Sequence, residues 1–239
     1  MKMYKISLLK NHIENPEYKK MILCYLFLYQ AERRNGNIDF SINNIIDYWG
    51  YKRTNKKGEI PDIFKQCLID LQNENIIESN YDFNNISNSE EITIKFKKDI
   101  NDNYSWLSNN QPFVLLNDDE LLKLKNCKQK YGIYVDKLIS LYLLIKSFMN
   151  FSDDYPCCFY SFENLMKINN LSKKTFEKLL RILNEENLIY NYTTYYTTKS
   201  KKLKLCQIYT TINCKDTYNF QLVKNNISSK LYDFYDWYK

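Results

Sequence analysis

The chain has 239 residues, 44% of them hydrophobic, with 34 basic and 28 acidic side chains and a formal net charge of +6. That hydrophobic share excludes wholesale disorder, and the dense N-terminal apolar run at residues 22–29 is far below the roughly 18 residues that span a bilayer. One histidine, His12, and four scattered glycines exclude most zinc hydrolases, histidine-based phosphotransfer and the glycine loops of nucleotide sites.

Residues 1–10 carry neither the apolar segment nor the small-residue site of a secretory signal. The seven cysteines form no Cys-x-x-Cys pair, so reduced thiols in a cytoplasmic protein are expected. The 22 tyrosines could offer stacking surfaces, but with abundant Asn, Lys and Ile they fit the codon usage of an AT-rich genome better.

In chain order, residues 18–31 read as a strongly apolar helix. Phe40-Ser41-Ile42 with Ile45 and Ile46 reads as a serine cap followed by a short amphipathic helix. A basic turn follows, with Lys52, Arg53, Lys56 and Lys57 before Gly58. Phe64, Leu68 and Leu71 then share one helix face. Glu74-Asn75 ends that helix, because Asn tolerates a left-handed cap. Residues 76–83 and 91–97 read as strands joined by a turn at 84–89. Residues 99–112 are polar, Asn-rich and end in proline, as a linker does. Asn117-Asp118-Asp119-Glu120 reads as a helix start, where acids favour the positive end of the helix dipole.

The second half repeats the first. Residues 135–148 form its apolar helix, and Tyr160-Ser161-Phe162 with Leu165 and Met166 matches the capped short helix. Phe176, Leu180, Leu183, Glu186, Asn187, Leu188 and Ile189 stand at the same offsets as Phe64, Leu68, Leu71, Glu74, Asn75, Ile76 and Ile77. Strand-like runs at 188–196 and 203–212 flank a lysine-rich turn. Each unit thus reads helix, short helix, helix, strand, turn, strand, the order of a winged helix-turn-helix.

The expected fold is α+β, mostly helical, with two winged helix-turn-helix domains in tandem. The domains expected are 1–98, a linker at 99–112, a second winged helix at 113–220 and a helical tail at 221–239.

Residues 1–111 hold 15 basic and 15 acidic groups, whereas residues 112–239 hold 19 and 13. Within the second half, residues 171–215 hold nine basic groups against three acids. The whole net charge therefore sits on one helix and one hairpin. In a helix-turn-helix the second helix enters the major groove and the wing reaches phosphates beside it. Lys173, Lys174, Thr175, Lys178 and Arg181 on the helix, with Lys199, Lys201, Lys202 and Lys204 at the wing, are the candidate DNA contacts. Lys52, Arg53, Lys56 and Lys57 form a second candidate phosphate-binding loop. No catalytic residue, metal or cofactor is assigned, and an enzyme is not expected.

The residues also resemble a known class. Phe-Val-Leu-Leu-Asn at 113–117, the helix at 135–148, Tyr160 through Leu165, Leu171-Ser172-Lys173-Lys174-Thr175 and residues 183–189 resemble the winged helix of replication initiators and replisome organisers from plasmids and phages of low-GC bacteria. The segment from Gly50-Tyr51-Lys52 to Lys57-Gly58, with Phe64, is similar to a turn in other proteins of such elements. The resemblance implies double-stranded DNA as partner, with host replication proteins and a second copy of the chain as further ones, and no membrane. It also implies the plan of iteron-binding initiators, which grip a repeated origin with two winged helices. The neutral first half departs from that plan. A transcriptional regulator and a winged-helix interaction scaffold are the alternative readings.

Overall fold

The computed structural model describes residues 3–7, 16–54, 56–97, 113–149, 157–158, 160–197 and 203–211. The chain divides into two compact units, Met1–Lys137 and Leu138–Lys239. Residues 113–137, assigned from sequence to the second domain, thus fall in the first unit, and residues 99–112 lie outside the described residues. Helices and small antiparallel sheets make up both units, an α+β composition.

In the first unit, helix α1 (Pro16–Ala31) is a core helix, with every residue from Ile22 to Leu28 buried. Strand β2 (Asn37–Phe40) follows, directing Ile38 and Phe40 inward. It comes after strand β1 (Met3–Ser7), which pairs elsewhere. Ser41 caps helix α2 (Ile42–Tyr48) through a reciprocal box with Asn44, as the serine predicted. Helix α2 buries Ile42, Ile45 and Ile46, and Trp49 closes it. The Trp49 indole is buried and donates to the Leu23 carbonyl at 2.9 Å.

Helix α3 (Ile60–Asn73) buries Phe64, Cys67, Leu68 and Leu71. Proline at its first turn costs nothing, because that N–H has no helical partner. Asn75 then adopts φ 59°, and the Ile76 N–H donates to the Leu71 carbonyl, which turns the chain into the sheet. Strands β3 (Ile77–Glu78) and β4 (Ile92–Phe96) join β2 in the order β2-β4-β3.

The strand expected over 76–83 shrinks to two residues. Within that stretch only Ile77 and Glu78 pair with β4, opposite Phe96 and Lys95. The Asp82 side chain accepts from the Asn84 N–H and the Glu90 side chain from the Ser87 N–H, so residues 79–91 fold as local turns.

The first unit also contains an antiparallel ribbon, in which β1 pairs with β5 (Phe113–Asn117) from Met3 opposite Asn117 to Ser7 opposite Phe113. Asn117 caps helix α4 (Asp118–Tyr131) in a box with Glu120, and three acids occupy its first turn. Gly132 ends it at φ 61°, a left-handed position that favours glycine.

The unit boundary falls inside helix α5 (Val135–Ser147), whose residues 138–146 are all buried. In the second unit, Ser161 caps helix α6 (Phe162–Ile168) and Ser172 caps helix α7 (Lys173–Glu185). Helix α7 buries Phe176, Leu179, Leu180, Ile182 and Leu183. Phe176 meets Phe162 edge to face at 4.5 Å, and Phe148 stacks on Tyr160 at 3.9 Å. Asn187 repeats the left-handed turn at φ 55°, and Asn170 makes another between α6 and α7 at φ 48°.

Strands β7 (Tyr190–Thr197) and β8 (Leu203–Thr210) form a hairpin from Tyr190 opposite Thr210 to Thr197 opposite Leu203. Strand β6 (Cys157–Cys158) adds to β8, giving the order β6-β8-β7. The helix expected near the C-terminus lies outside the described residues.

The left-handed Asn170 yields a test, because it is exposed and its side chain makes no bond to any described residue. Asn170→Gly should keep the stability of the parent within about 0.5 kcal/mol, and Asn170→Val should lose roughly 1–2 kcal/mol, because a β-branched side chain is strained in that conformation. Urea unfolding measures both. Equal midpoints for the two variants would refute the strained turn.

Candidate nucleic-acid interface

The inward residues of α7 settle what faces outward. With Phe176, Leu179, Leu180, Ile182 and Leu183 inside, the exposed positions are Lys173, Lys174, Glu177, Lys178, Arg181 and Glu185. Lys174, Lys178 and Arg181 are spaced by four and three residues and therefore form one row. No hydrogen bond or ion pair ties Lys173, Lys174 or Lys178 to a described residue. Arg181 pairs loosely with Glu185 at 3.6 Å, an exposed contact worth only about 0.3–0.5 kcal/mol and readily exchanged for a stronger anion. Thr175 is half-buried, with its hydroxyl 2.9 Å from that of the Ser172 cap. It belongs to the capping structure more than to the outward row.

The helix N-terminus itself adds to this chemistry. Its first N–H groups and the axial dipole favour negative charge, and no acid occupies the first turn. Lys199, Lys201 and Lys202 lie outside the described residues. Lys204 lies in β8, opposite Tyr196.

The first unit builds a different surface from equivalent elements. Lys52, Lys56 and Lys57 are exposed on the turn between α2 and α3 and bond to no described partner through their side chains. Arg53, the fourth candidate there, is engaged: its Nε donates to Asp47 Oδ1 at 2.9 Å, and Nη2 pairs with Oδ2. That hydrogen bond holds the Asp47 carboxyl below its ordinary range. On α3 the outward polar groups are engaged, within the helix or with the flanking turn and loop. Asp62 accepts from the Gly58 N–H at 2.6 Å, and Gln66 donates to Asp70 at 2.9 Å. Lys65 Nζ donates to the Ile86 carbonyl at 2.7 Å and so pins the 79–91 loop against the helix.

Two polar hollows lie beside this turn, of about 590 Å³ and about 490 Å³. Neither was legible in the sequence, because both form only where residues 84–89, read as a turn, come beside the basic turn and helix α3.

A buried cluster anchors the start of the basic turn. The Tyr51 ring has Lys20 Nζ 4.8 Å and Lys128 Nζ 4.5 Å from its centroid. Lys20 donates to the Tyr51 hydroxyl at 3.0 Å and pairs with Asp136. Lys128 donates to the carbonyls of Trp49, at 3.1 Å, and Gly50. Burial pushes the Tyr51 phenol well up, and Asp136 adds to that. Nearby, burial raises the Tyr48 phenol to about 12. Sequence reasoning missed this cluster, since Lys20 and Asp136 stand 116 residues apart with no motif linking them.

Among the described residues, no group of three or more His, Cys, Asp or Glu side chains could hold a metal ion, and no helix is long and apolar enough to cross a membrane. Cys24, Cys67, Cys127 and Cys158 are buried and form no disulfide.

No family model matches the chain, and no curated protein does. Among solved structures, the Pi initiator protein in complex with iteron DNA aligns over 90% of this chain and 98% of its own, at 12% identity and a TM-score of 0.43.

The Tyr51 cluster makes a quantitative forecast. Asp136→Ala leaves the buried Lys20 ammonium without its counter-charge and should cost about 3–5 kcal/mol in urea unfolding. Lys20→Met combined with Asp136→Leu should recover most of that loss. A single variant as stable as the parent would contradict the pairing.

Proposed function

We propose that the chain is a sequence-specific double-stranded DNA-binding protein built from two winged helix-turn-helix units in tandem. Its task is replication initiation or maintenance of a plasmid or phage through origin binding. The carrying observation is the outward face of α7, where Lys173, Lys174 and Lys178 bond to no described residue on a capped helix. Cations with no internal partner are available to phosphates and base edges at no cost in broken ion pairs.

The element order supports the winged-helix reading. Each unit places a capped short helix and an amphipathic helix beside a three-stranded antiparallel sheet, in the orders β2-β4-β3 and β6-β8-β7. In that geometry α7 presents its first turns to the major groove. Lys and Arg there read guanine edges, and cations further along meet phosphates. The hairpin of β7 and β8 carries Lys204 together with Lys199, Lys201 and Lys202 beside the helix in sequence.

The replication role rests on the residue-level resemblance of the second half to plasmid and phage initiators. Under it the chain acts by binding origin DNA and recruiting host replication proteins in the cytoplasm, with a second copy as a further partner. No chemistry of its own is assigned to it.

Replacing Lys173, Lys174 and Lys178 together by Ala should abolish duplex binding in a mobility-shift assay. It should also flatten the fall of log K with log salt by about 0.9 for each phosphate that is no longer neutralised. Unchanged binding by a folded triple variant would sink the proposal.

A further inference from the structure

The two hollows of the first unit carry a second binding chemistry. We propose that they form one trough that holds the sugar–phosphate backbone of a nucleic-acid duplex without reading its sequence, an inference that rests on the duplex-binding function above.

Thr54, Lys65 and Asn88 line both hollows, so the two are halves of a continuous surface. Arg53 borders one half, and Lys56 and Lys57 border the other. Asp62 is the single acid in the lining, and its carboxylate is already committed to the Gly58 N–H. Asp82 and Glu90, on the loop that forms one wall, are bonded within that loop to Asn84, Asn85 and Ser87. The walls therefore present cations and neutral donors with little opposing charge.

Lys65 is central to this site. Its ammonium has three donors, and the Ile86 carbonyl takes one at 2.7 Å. The remaining donors face a polar hollow, held in place by the loop that the same lysine pins. The hydroxyls of Ser87 and Ser89, 3.2 Å apart, sit on the opposite wall. The side-chain oxygen of Asn88 is buried without a hydrogen-bond partner, so its amide is not committed elsewhere and can turn its donors toward an anion.

Two observations select backbone over bases. The trough is lined by no aromatic side chain, so it offers none of the stacking platforms on which single strands bind. The outward face of α3 pairs Gln66 with Asp70 and carries Asp62. That acidic, self-satisfied face opposes insertion into a groove, whereas phosphate contacts from the trough require none.

The test uses the full chain and fluorescence anisotropy on three labelled probes: a mixed-sequence duplex, a duplex of permuted sequence, and one strand alone. Lys56→Ala with Lys57→Ala should weaken both duplexes by the same factor, on the order of tenfold near 0.1 M salt, and flatten the salt slope by about two. Ser89→Glu keeps every lysine, changes only an exposed loop position and should weaken both duplexes uniformly as well. The trough proposal is overturned if either variant, folded by circular dichroism, binds both duplexes as the parent does. Loss confined to one duplex sequence, or equal loss on the single strand, also overturns it. The outcomes separate the two proposals. If the α7 triple variant binds normally while the trough variants do not, groove reading by α7 fails and the trough stands. If only the α7 variant loses binding, the reverse holds.

Discussion

Everything on the surface of this protein depends on one burial event in each unit. Helix α3 must bury Phe64, Leu68 and Leu71, and helix α7 must bury Phe176, Leu180 and Leu183. Truncating any one of these large side chains to alanine costs about 2–5 kcal/mol, a large part of a domain's total stability. The inward face is thus fixed, and with it the rotation of each helix about its axis. The outward residues are consequences: once Phe176 points in, Lys174, Lys178 and Arg181 have nowhere to point but out.

The left-handed asparagines convert that rotation into a direction for the chain. Asn75 and Asn187 end α3 and α7 at φ 59° and 55°, and the next residues donate back into the last helical turn. Such a turn releases the chain onto the sheet within two or three residues. The first strand after each helix therefore begins at a set place, and in the first unit the loop beyond it is held to the helix by the bond from Lys65 to the Ile86 carbonyl. In the second unit a pair of eight-residue strands follows, with Lys204 on β8. In the first, the chain leaves the sheet after Glu78 and turns on the bonds from the Asn84 N–H to Asp82 and from the Ser87 N–H to Glu90.

Much of this was legible in the sequence, for reasons that also mark where it stopped. Apolar spacing found α1, α3, α5 and α7, because burial enforces period. Ser41, Ser161 and Ser172 marked helix starts, because a cap satisfies orphan N–H groups locally. The self-match exposed the asparagine turns. Strands β1, β2, β5 and β6 carried no such signal, since each is short and paired with a strand distant in sequence. On the site, the α7 lysines were legible because charge and helix coincide in one segment. The bond between Arg53 and Asp47 was not, nor the bond from Lys65 to Ile86, nor the sandwich of Tyr51 between Lys20 and Lys128. Those contacts join residues whose proximity follows only from the folded loop and the packed helices.

The contrast between α3 and α7 shows what a duplicated fold leaves free to change. Substitutions at exposed helix positions usually shift stability by less than about 0.5 kcal/mol, so the outward faces can diverge while the cores stay alike. In this chain they have diverged in electrostatic sense. The outward groups of α3 are of mixed sign and tied by hydrogen bonds, Asp62 to the Gly58 N–H, Lys65 to the Ile86 carbonyl and Asp70 to Gln66. On α7, Lys174 and Lys178 bond to no described residue and Arg181 pairs only loosely with Glu185, so three like charges stand in one row and repel each other. Under the proposed function a phosphate relieves that repulsion and replaces bound counterions. The first unit keeps its exposed lysines, Lys52, Lys56 and Lys57, on the turn before α3 instead of on the helix.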